Sequence, residues 1–458
     1  MTLSYELAGY ITGTSYEDIP PEVIAKGKNC ILDSLGCALY GSTFAAARIA
    51  REVTCGDHSP ISGAAVLGTA KRAPARTAAF VNGVMTHAED FDDTVVSLNG
   101  HPSCVMMPAS LAVSEIHGGG GKDFLTAYAV GCEIAGKLGH AMGSGHHRQG
   151  WHPTATLGTI GAAASAAKAL NLSQDQTANA LGIAAASASG LRINFGSMTK
   201  CFQAGNAARS GVLAARLAGK GFTSSKDALE GETGFAQAFG ADGDLSKVPG
   251  SLGKDYVLSQ IMLKPYPCCA GTHPAVDALR KIMDLNQGMD PQAIERIEVQ
   301  GRPVLKNVLI HPDPRTPLEA KFSMEYCLAA TLVQGSLGVV SFQEDALFDH
   351  EVGALMEQVH LIADESMEEM SKQLGVLSPA QVTVHLLGGE VWTETVLEAK
   401  GGPSNPMSRQ EIEDKFRECA AGVLSEAGMD RVLEMVAALE DLDCLCDLTA
   451  ALETSVNE

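Results

Sequence analysis

The sequence predicts a mainly α protein: a large helical domain built from both chain ends, with a smaller α+β domain inserted between them. Three observations predict this. The chain has 458 residues, against ~100–200 for a typical domain, so two compact domains are expected and a single small module is excluded. Apolar spacing is helical from about residue 5 to 262, becomes strand-like over roughly 263–400, and turns helical again after Gly401-Gly402-Pro403-Ser404-Asn405-Pro406. The expected boundaries are therefore 1–262 with 402–458 for the helical part and 263–401 for the α+β part. Finally, the 48 glycines and only 5% aromatic residues go with long Ala, Gly and Ser tracts. Small side chains on helix faces let backbones approach closely, which suits helices surrounded by other helices.

Along the chain, Phe124 to His140 carries apolar residues at helical spacing behind the turn Gly118-Gly119-Gly120-Gly121-Lys122-Asp123. That glycine run lacks the G-x-x-x-x-G-K-[ST] spacing of a phosphate loop and reads as a helix connection. Further helices are expected over Thr156 to Leu170, Asp175 to Ser189 and Asn206 to Gly219. Strand alternation appears at Ile297-Glu298-Val299 and again at Val382, Val384 and Leu386, which alternate with Thr383 and His385. The second run meets Gly388-Gly389 and then Val391 to Val396, predicting a hairpin with a two-residue turn. Ser408 is placed to cap the helix that follows. No solenoid repeat and no dinucleotide fingerprint is present in the sequence.

Charge narrows the partners. Lys and Arg total 33 against 54 Asp and Glu, a formal charge of −21, which repels phosphate backbones and anionic membrane surfaces and excludes a nucleic-acid or membrane-surface partner. The N-terminus lacks a charged-then-apolar signal pattern, so a cytoplasmic protein is expected. The twelve cysteines include no C-x-x-C and only the local pairs Cys268-Cys269 and Cys444/Cys446. Most read as reduced, buried small hydrophobes.

Chemistry should sit where polar residues interrupt small-residue helical tracts, because burying them costs energy unless they are paired or used. One such segment is Thr86-His87-Ala88-Glu89-Asp90-Phe91-Asp92-Asp93-Thr94, followed by His101-Pro102-Ser103. Carboxylates beside a histidine suit a divalent metal, an acid/base pair or a solvated acidic loop. A second is Gly150-Trp151-His152-Pro153-Thr154, where a helix N-terminus would favour neutral imidazole at His152. The third and fourth are Asn194 to Lys200, and Lys264-Pro265-Tyr266-Pro267 running on to Thr272-His273. Two lysines and two or three histidines among few other cations suit a small, multiply charged anion. There is no G-x-S-x-G elbow and no H-E-x-x-H.

Several of these segments together resemble the MmgE/PrpD family in order and spacing: Asp90-Phe91-Asp92-Asp93-Thr94 with Gly100-His101-Pro102-Ser103, Gly150-Trp151-His152-Pro153, Met198-Thr199-Lys200 and Gly205-Asn206-Ala207-Ala208. Asp313-Pro314-Arg315-Thr316-Pro317, Glu319-Ala320-Lys321-Phe322-Ser323 with Tyr326, and Asn405-Pro406-Met407-Ser408 continue the match over nearly the whole chain. The family includes 2-methylcitrate dehydratase, cis-aconitate decarboxylase and iminodisuccinate epimerase. The resemblance implies a cofactor-independent, metal-independent acid/base enzyme acting on a small di- or tricarboxylate, a lid formed by the inserted domain, and a homodimer. It implies a lyase first, and a proton-exchanging epimerase as the alternative. A non-catalytic carboxylate-binding protein is the remote alternative. Carried over residue by residue, it implies catalytic roles for His101, His152, Asp90 and Lys200, with Asp90 orienting or charging a histidine. It implies substrate contacts for Thr94, Lys264, His273 and Tyr326. The seven-residue step from Thr94 to His101 resembles the epimerase; the decarboxylase spacing is one residue shorter.

Overall fold

The computed structural model describes residues 1–56, 63–287 and 289–454. The chain forms two compact units: Met1–Ala88, Asp92–Ile261 and the chain from Ser408 onward make one, and Glu89–Phe91 with Met262–Met407 make the other.

The first unit is helical, and its centre is the helix Pro153–Ala169, in which every residue but Lys168 is buried. Around it pack Ser103–His117, Gly121–Met142, Gln174–Ser187 and Met198–Gly219. Such crowding needs missing side chains. A Cβ on Gly211 would lie 2.4 Å from the Ala162 Cβ, and one on Gly205 would lie 2.4 Å from the Phe80 carbonyl oxygen. The glycines therefore mark helix crossings where backbones touch, the packing that the small-residue tracts predict. The two chain ends meet within this unit: Arg409–Ala420 packs on Pro21–Gly41, and the buried Lys415 ammonium lies 2.6 Å from the Asp33 carboxylate. Ser408 caps the Arg409–Ala420 helix reciprocally, accepting from the Glu411 N–H (3.3 Å) while its own N–H donates to the Glu411 carboxylate (2.7 Å).

The second unit holds a four-stranded sheet in the order Val359–Ala363, Ile294–Gly301, Ala380–Leu386, Val391–Val396. The first pair is parallel, with Ile297 opposite Val359; the others are antiparallel, with Ile297 opposite Val384 and Val384 opposite Trp392. Strict alternation buries Ala380, Val382, Val384 and Leu386 beneath the helices His273–Leu285 and Met324–Gln334 of the same core.

Two expectations are corrected. The helix expected from Asn206 begins at Met198, because the polar residues Thr199 and Lys200 are accommodated in its first turn. The hairpin turn has three residues, not two: the Leu386 N–H donates to the Glu390 carbonyl (2.9 Å), with Gly389 at φ 88°. A positive-φ glycine closing a three-residue loop is a standard alternative to the two-residue turn. As the sequence predicts, most cysteines are reduced and buried: ten are free and eight of those are buried, while Cys444 and Cys446 are disulfide-bonded. Among the described residues no single helix is long and apolar enough to cross a membrane.

Candidate active site

The helix Ala75–Thr86 ends at His87, and the chain then turns back on itself. The turn brings a buried carboxylate against two imidazoles. His87 Nδ1 lies 2.9 Å from both Asp92 carboxylate oxygens, and His101 Nδ1 lies 3.3 Å from Asp92 Oδ2. A carboxylate only accepts, so the His87 Nδ1 that is hydrogen-bonded to it carries the proton. The Nε2 of His87 is then a bare lone pair, and it is buried without a hydrogen-bond partner among the described residues. Burial pulls the His87 pKa down to about 4, with Asp92 opposing that shift and Lys200 adding to it. Asp92 is held well below the usual carboxylate range: burial would raise it, but His87 and His101 outweigh burial.

His152 is the residue just before the Pro153–Ala169 helix. Its Nδ1 lies 2.7 Å from Gln203 Oε1. The Gln203 amide is oriented by its own NH2 group, which donates to the Leu191 carbonyl (3.0 Å). The oxygen therefore faces His152, fixing that ring too as the Nδ1–H tautomer. Its Nε2 is buried and without a partner among the described residues. Burial first, then the positive charge of Lys200, hold this imidazole well below its ordinary pKa. Lys200 is itself buried in the first turn of the Met198–Gly219 helix, 5.4 Å from the centre of the Phe195 ring. The rings form a row: His87 lies 4.6 Å from His101 and 6.1 Å from His152, centre to centre.

The loop carrying His101 is pinned at both ends. The Thr94 hydroxyl donates to the Gly100 carbonyl (3.0 Å), so its proton is committed to the loop. The His101 N–H donates to Thr154 Oγ1 (3.0 Å). Gly100 is required there, since a Cβ would sit 2.6 Å from the same Thr154 oxygen. Asp93 points elsewhere. It accepts from the Ser103 hydroxyl and from the Ser103 N–H (3.1 Å), and burial pushes its pKa up to about 7.

In the α+β unit the predicted residues are engaged differently. The Lys264 ammonium donates to the Asp90 backbone carbonyl (2.6 Å) and lies 3.1 Å from the Asp90 carboxylate. Asp90 holds φ at 54°, unusual for a residue other than glycine. His273, the first residue of its helix, places Nε2 3.2 Å from the Cys268 carbonyl. Tyr326 is fully buried, and its hydroxyl donates to the Ser341 carbonyl. A second buried lysine, Lys321, lies 3.1 Å from the Glu89 carboxylate and donates to the Pro267 carbonyl (2.8 Å).

The structure thus gathers His101, His152, Lys200 and Thr94 in the helical unit and Asp90, Lys264, His273 and Tyr326 in the other. His87, Asp92 and Gln203 were missed as site residues. His87 and Asp92 stood inside the acidic segment with nothing in their spacing to single them out, and Gln203 is a neutral residue within a helix. A metal is the one resident group the donor set suits, since single atoms of His87, Asp92 and His101 lie within 4.8 Å of one another. In that set the Asp92 carboxylate already accepts a hydrogen bond from the His87 Nδ1–H.

The helical scaffold thus sets buried imidazoles of lowered basicity beside a buried lysine. The chain belongs to the MmgE/PrpD family. The MmgE/PrpD N-terminal domain matches residues 5–247 and the MmgE/PrpD C-terminal domain matches 266–441. Human cis-aconitate decarboxylase is 31% identical over 99% of this chain and 95% of its own length. The cis-aconitate decarboxylase of Aspergillus terreus is 28% identical over 98% of this chain and 94% of its own length. The 2-methylcitrate dehydratase of Salmonella typhimurium is 25% identical over 72% of this chain and 71% of its own length.

Proposed function

We propose that this protein is a lyase that removes carbon dioxide or water from a small tricarboxylate by acid/base chemistry, without a metal or organic cofactor. The observation that carries the reading is the pair of open Nε2 atoms on His87 and His152, both rings fixed as Nδ1–H tautomers beside Lys200. Decarboxylase relatives aligned over almost the whole chain support it.

Rings held this far below their ordinary pKa are weak bases on their own. A polycarboxylate brings two or three negative charges, which oppose the field of Lys200 and raise the basicity of imidazoles next to it. Proton transfer is then switched on by the substrate itself. In a decarboxylation carbon dioxide leaves, the C–C electrons remain on carbon, and an imidazolium protonated from solvent gives that carbon its proton. In a dehydration an imidazole takes the proton from the carbon beside a carboxylate, and the hydroxyl group leaves as water on a proton given by an imidazolium. We assign Lys200 to a substrate carboxylate and place His101 and His152, in different roles, at the reacting carbon, where protons are exchanged. The roles of Lys264 and His273 on carboxylates, of Asp90 in support of the proton steps, and of Thr94 and Tyr326 in positioning rest on the family resemblance. So do a cytoplasmic setting and a homodimer, the latter checked by light scattering.

The test is a panel of cis-aconitate, 2-methylcitrate and iminodisuccinate, followed by alkene absorbance and chiral chromatography together. A lyase creates or consumes an alkene. The second reading, an epimerase of the iminodisuccinate type, is favoured by the seven-residue step from Thr94 to His101, and it would change only handedness. Binding without turnover across the panel would contradict both.

A further inference from the structure

The Nδ1 atoms of His101 and His152 face chemically different groups, a carboxylate 3.3 Å away for one and a hydrogen-bonded carboxamide for the other. We infer that His101 is the imidazole that carries positive charge during the reaction, with Asp92 as its positioning residue, and that His152 works as a neutral hydrogen-bonding ring. The inference rests on the acid/base reading above and divides its labour.

Counting charge explains the asymmetry. With both rings neutral, the His87, Asp92 and His101 group carries −1; one proton on His101 brings it to zero. The groups facing His152 are the neutral Gln203 amide, the Phe195 ring 5.0 Å away, the His87 ring and the Lys200 charge. A proton on His152 would add a second positive charge beside Lys200, in a place from which water is excluded. The depressed basicity of His152, set by burial and Lys200, agrees with this. Exposure points the same way: the His101 side chain is 14% exposed, whereas Asp92 behind it is sealed. His87, fully buried with its Nδ1 equidistant from both Asp92 oxygens, keeps that carboxylate from turning away. The arrangement follows the logic of a carboxylate-backed general base, in which the carboxylate holds the tautomer and stabilises the imidazolium.

The experiment compares Asp92→Asn with Gln203→Leu on the panel member that the wild type turns over, together with ¹⁵N NMR of histidine-labelled wild-type protein. Asp92→Asn should lower kcat by ~10²–10⁴-fold with KM changed less than about threefold, since the loss falls on the proton step. Gln203→Leu should cost less than about tenfold, because a neutral ring loses only its orienting hydrogen bond. Asp92→Glu, which keeps the charge, should recover part of the lost kcat even where the asparagine variant folds poorly. With the substrate bound, the spectra should show His152 neutral with its proton on Nδ1. A larger kcat loss for Gln203→Leu than for Asp92→Asn, or a doubly protonated His152, would overturn the inference. If no panel member is turned over, the lyase reading fails separately, and the unliganded spectra still decide the tautomers: both rings are expected as Nδ1–H, and Nε2–H on His101 refutes the role of Asp92.

Discussion

In the helical unit, His87 and His152 are buried near His101 with their basicity lowered, and each leaves a ring nitrogen without a hydrogen bond among the described residues. In the α+β unit, the buried charges are lysines set against carboxylates, Lys264 with Asp90 and Lys321 with Glu89, each 3.1 Å apart. Both arrangements take polar groups out of water, at a cost of several kcal/mol per ion or a few per unpaired group. The paired lysines offset that cost locally. The open imidazole nitrogens do not, and a fold tolerates such a loss where the groups are used. The difference teaches where to look first for chemistry: at His87 and His152, whose open ring nitrogens lie close to one another and to Lys200.

Replacing one group in each region gives opposite signatures, and the largest effect is expected in the helical unit. Lys200→Met or His152→Ala should lower kcat by ~10²–10⁴-fold or more, with thermal stability little reduced, as read by steady-state kinetics and calorimetry. Lys264→Met should act first on stability, costing about 3–5 kcal/mol by leaving the Asp90 carboxylate buried without its ammonium, as read by denaturant unfolding. Comparable kinetic and stability losses in both regions would dissolve the comparison.

A smaller effect concerns pH. The Asp93 carboxyl, raised to about 7 by burial, binds its proton more tightly in the folded than in the unfolded chain. Its contribution is therefore fully present below about pH 4 and is lost as pH rises through about 7. Asp93→Asn imitates the protonated form, since its NH2 group can donate to the Ser103 hydroxyl that now faces the carboxylate and that is 2.5 Å from the Tyr128 hydroxyl. The variant should melt higher than wild type at pH 8 and show no advantage at pH 4. His87 has the opposite sign: its depressed pKa costs stability as pH falls from about 6.5 towards 4. The smallest expected effect is that of a chelator. Extended dialysis against one should leave turnover unchanged, because the proposed proton steps use imidazoles and Lys200 and no metal.

Much of this was legible in the sequence, and the parts that were not share a cause. The small-residue helices were readable because close crossings demand glycine or alanine, and Gly205 and Gly211 stand at such crossings. His152 at a helix start was readable because Pro153 marks the first helical turn. The start of its neighbour at Met198 was not, because Thr199 and Lys200 look like a loop until their burial is known. Asp92 was hidden among four carboxylates between residues 89 and 93. Local pattern cannot tell which of them turns toward His87 and His101, which toward Lys264 and which toward Ser103; the turn of the chain after Ala88 decides it. Gln203 carries no charge and lies 51 positions from His152, so only the structure pairs them.

The most direct test of the account is turnover of the polycarboxylate panel by chelator-treated wild-type protein beside Lys200→Met and His152→Ala. The account predicts a change in alkene absorbance for the wild type and almost none for either variant, with all three proteins folded. Full turnover by the variants, or a reaction that appears only when metal is restored, would contradict it.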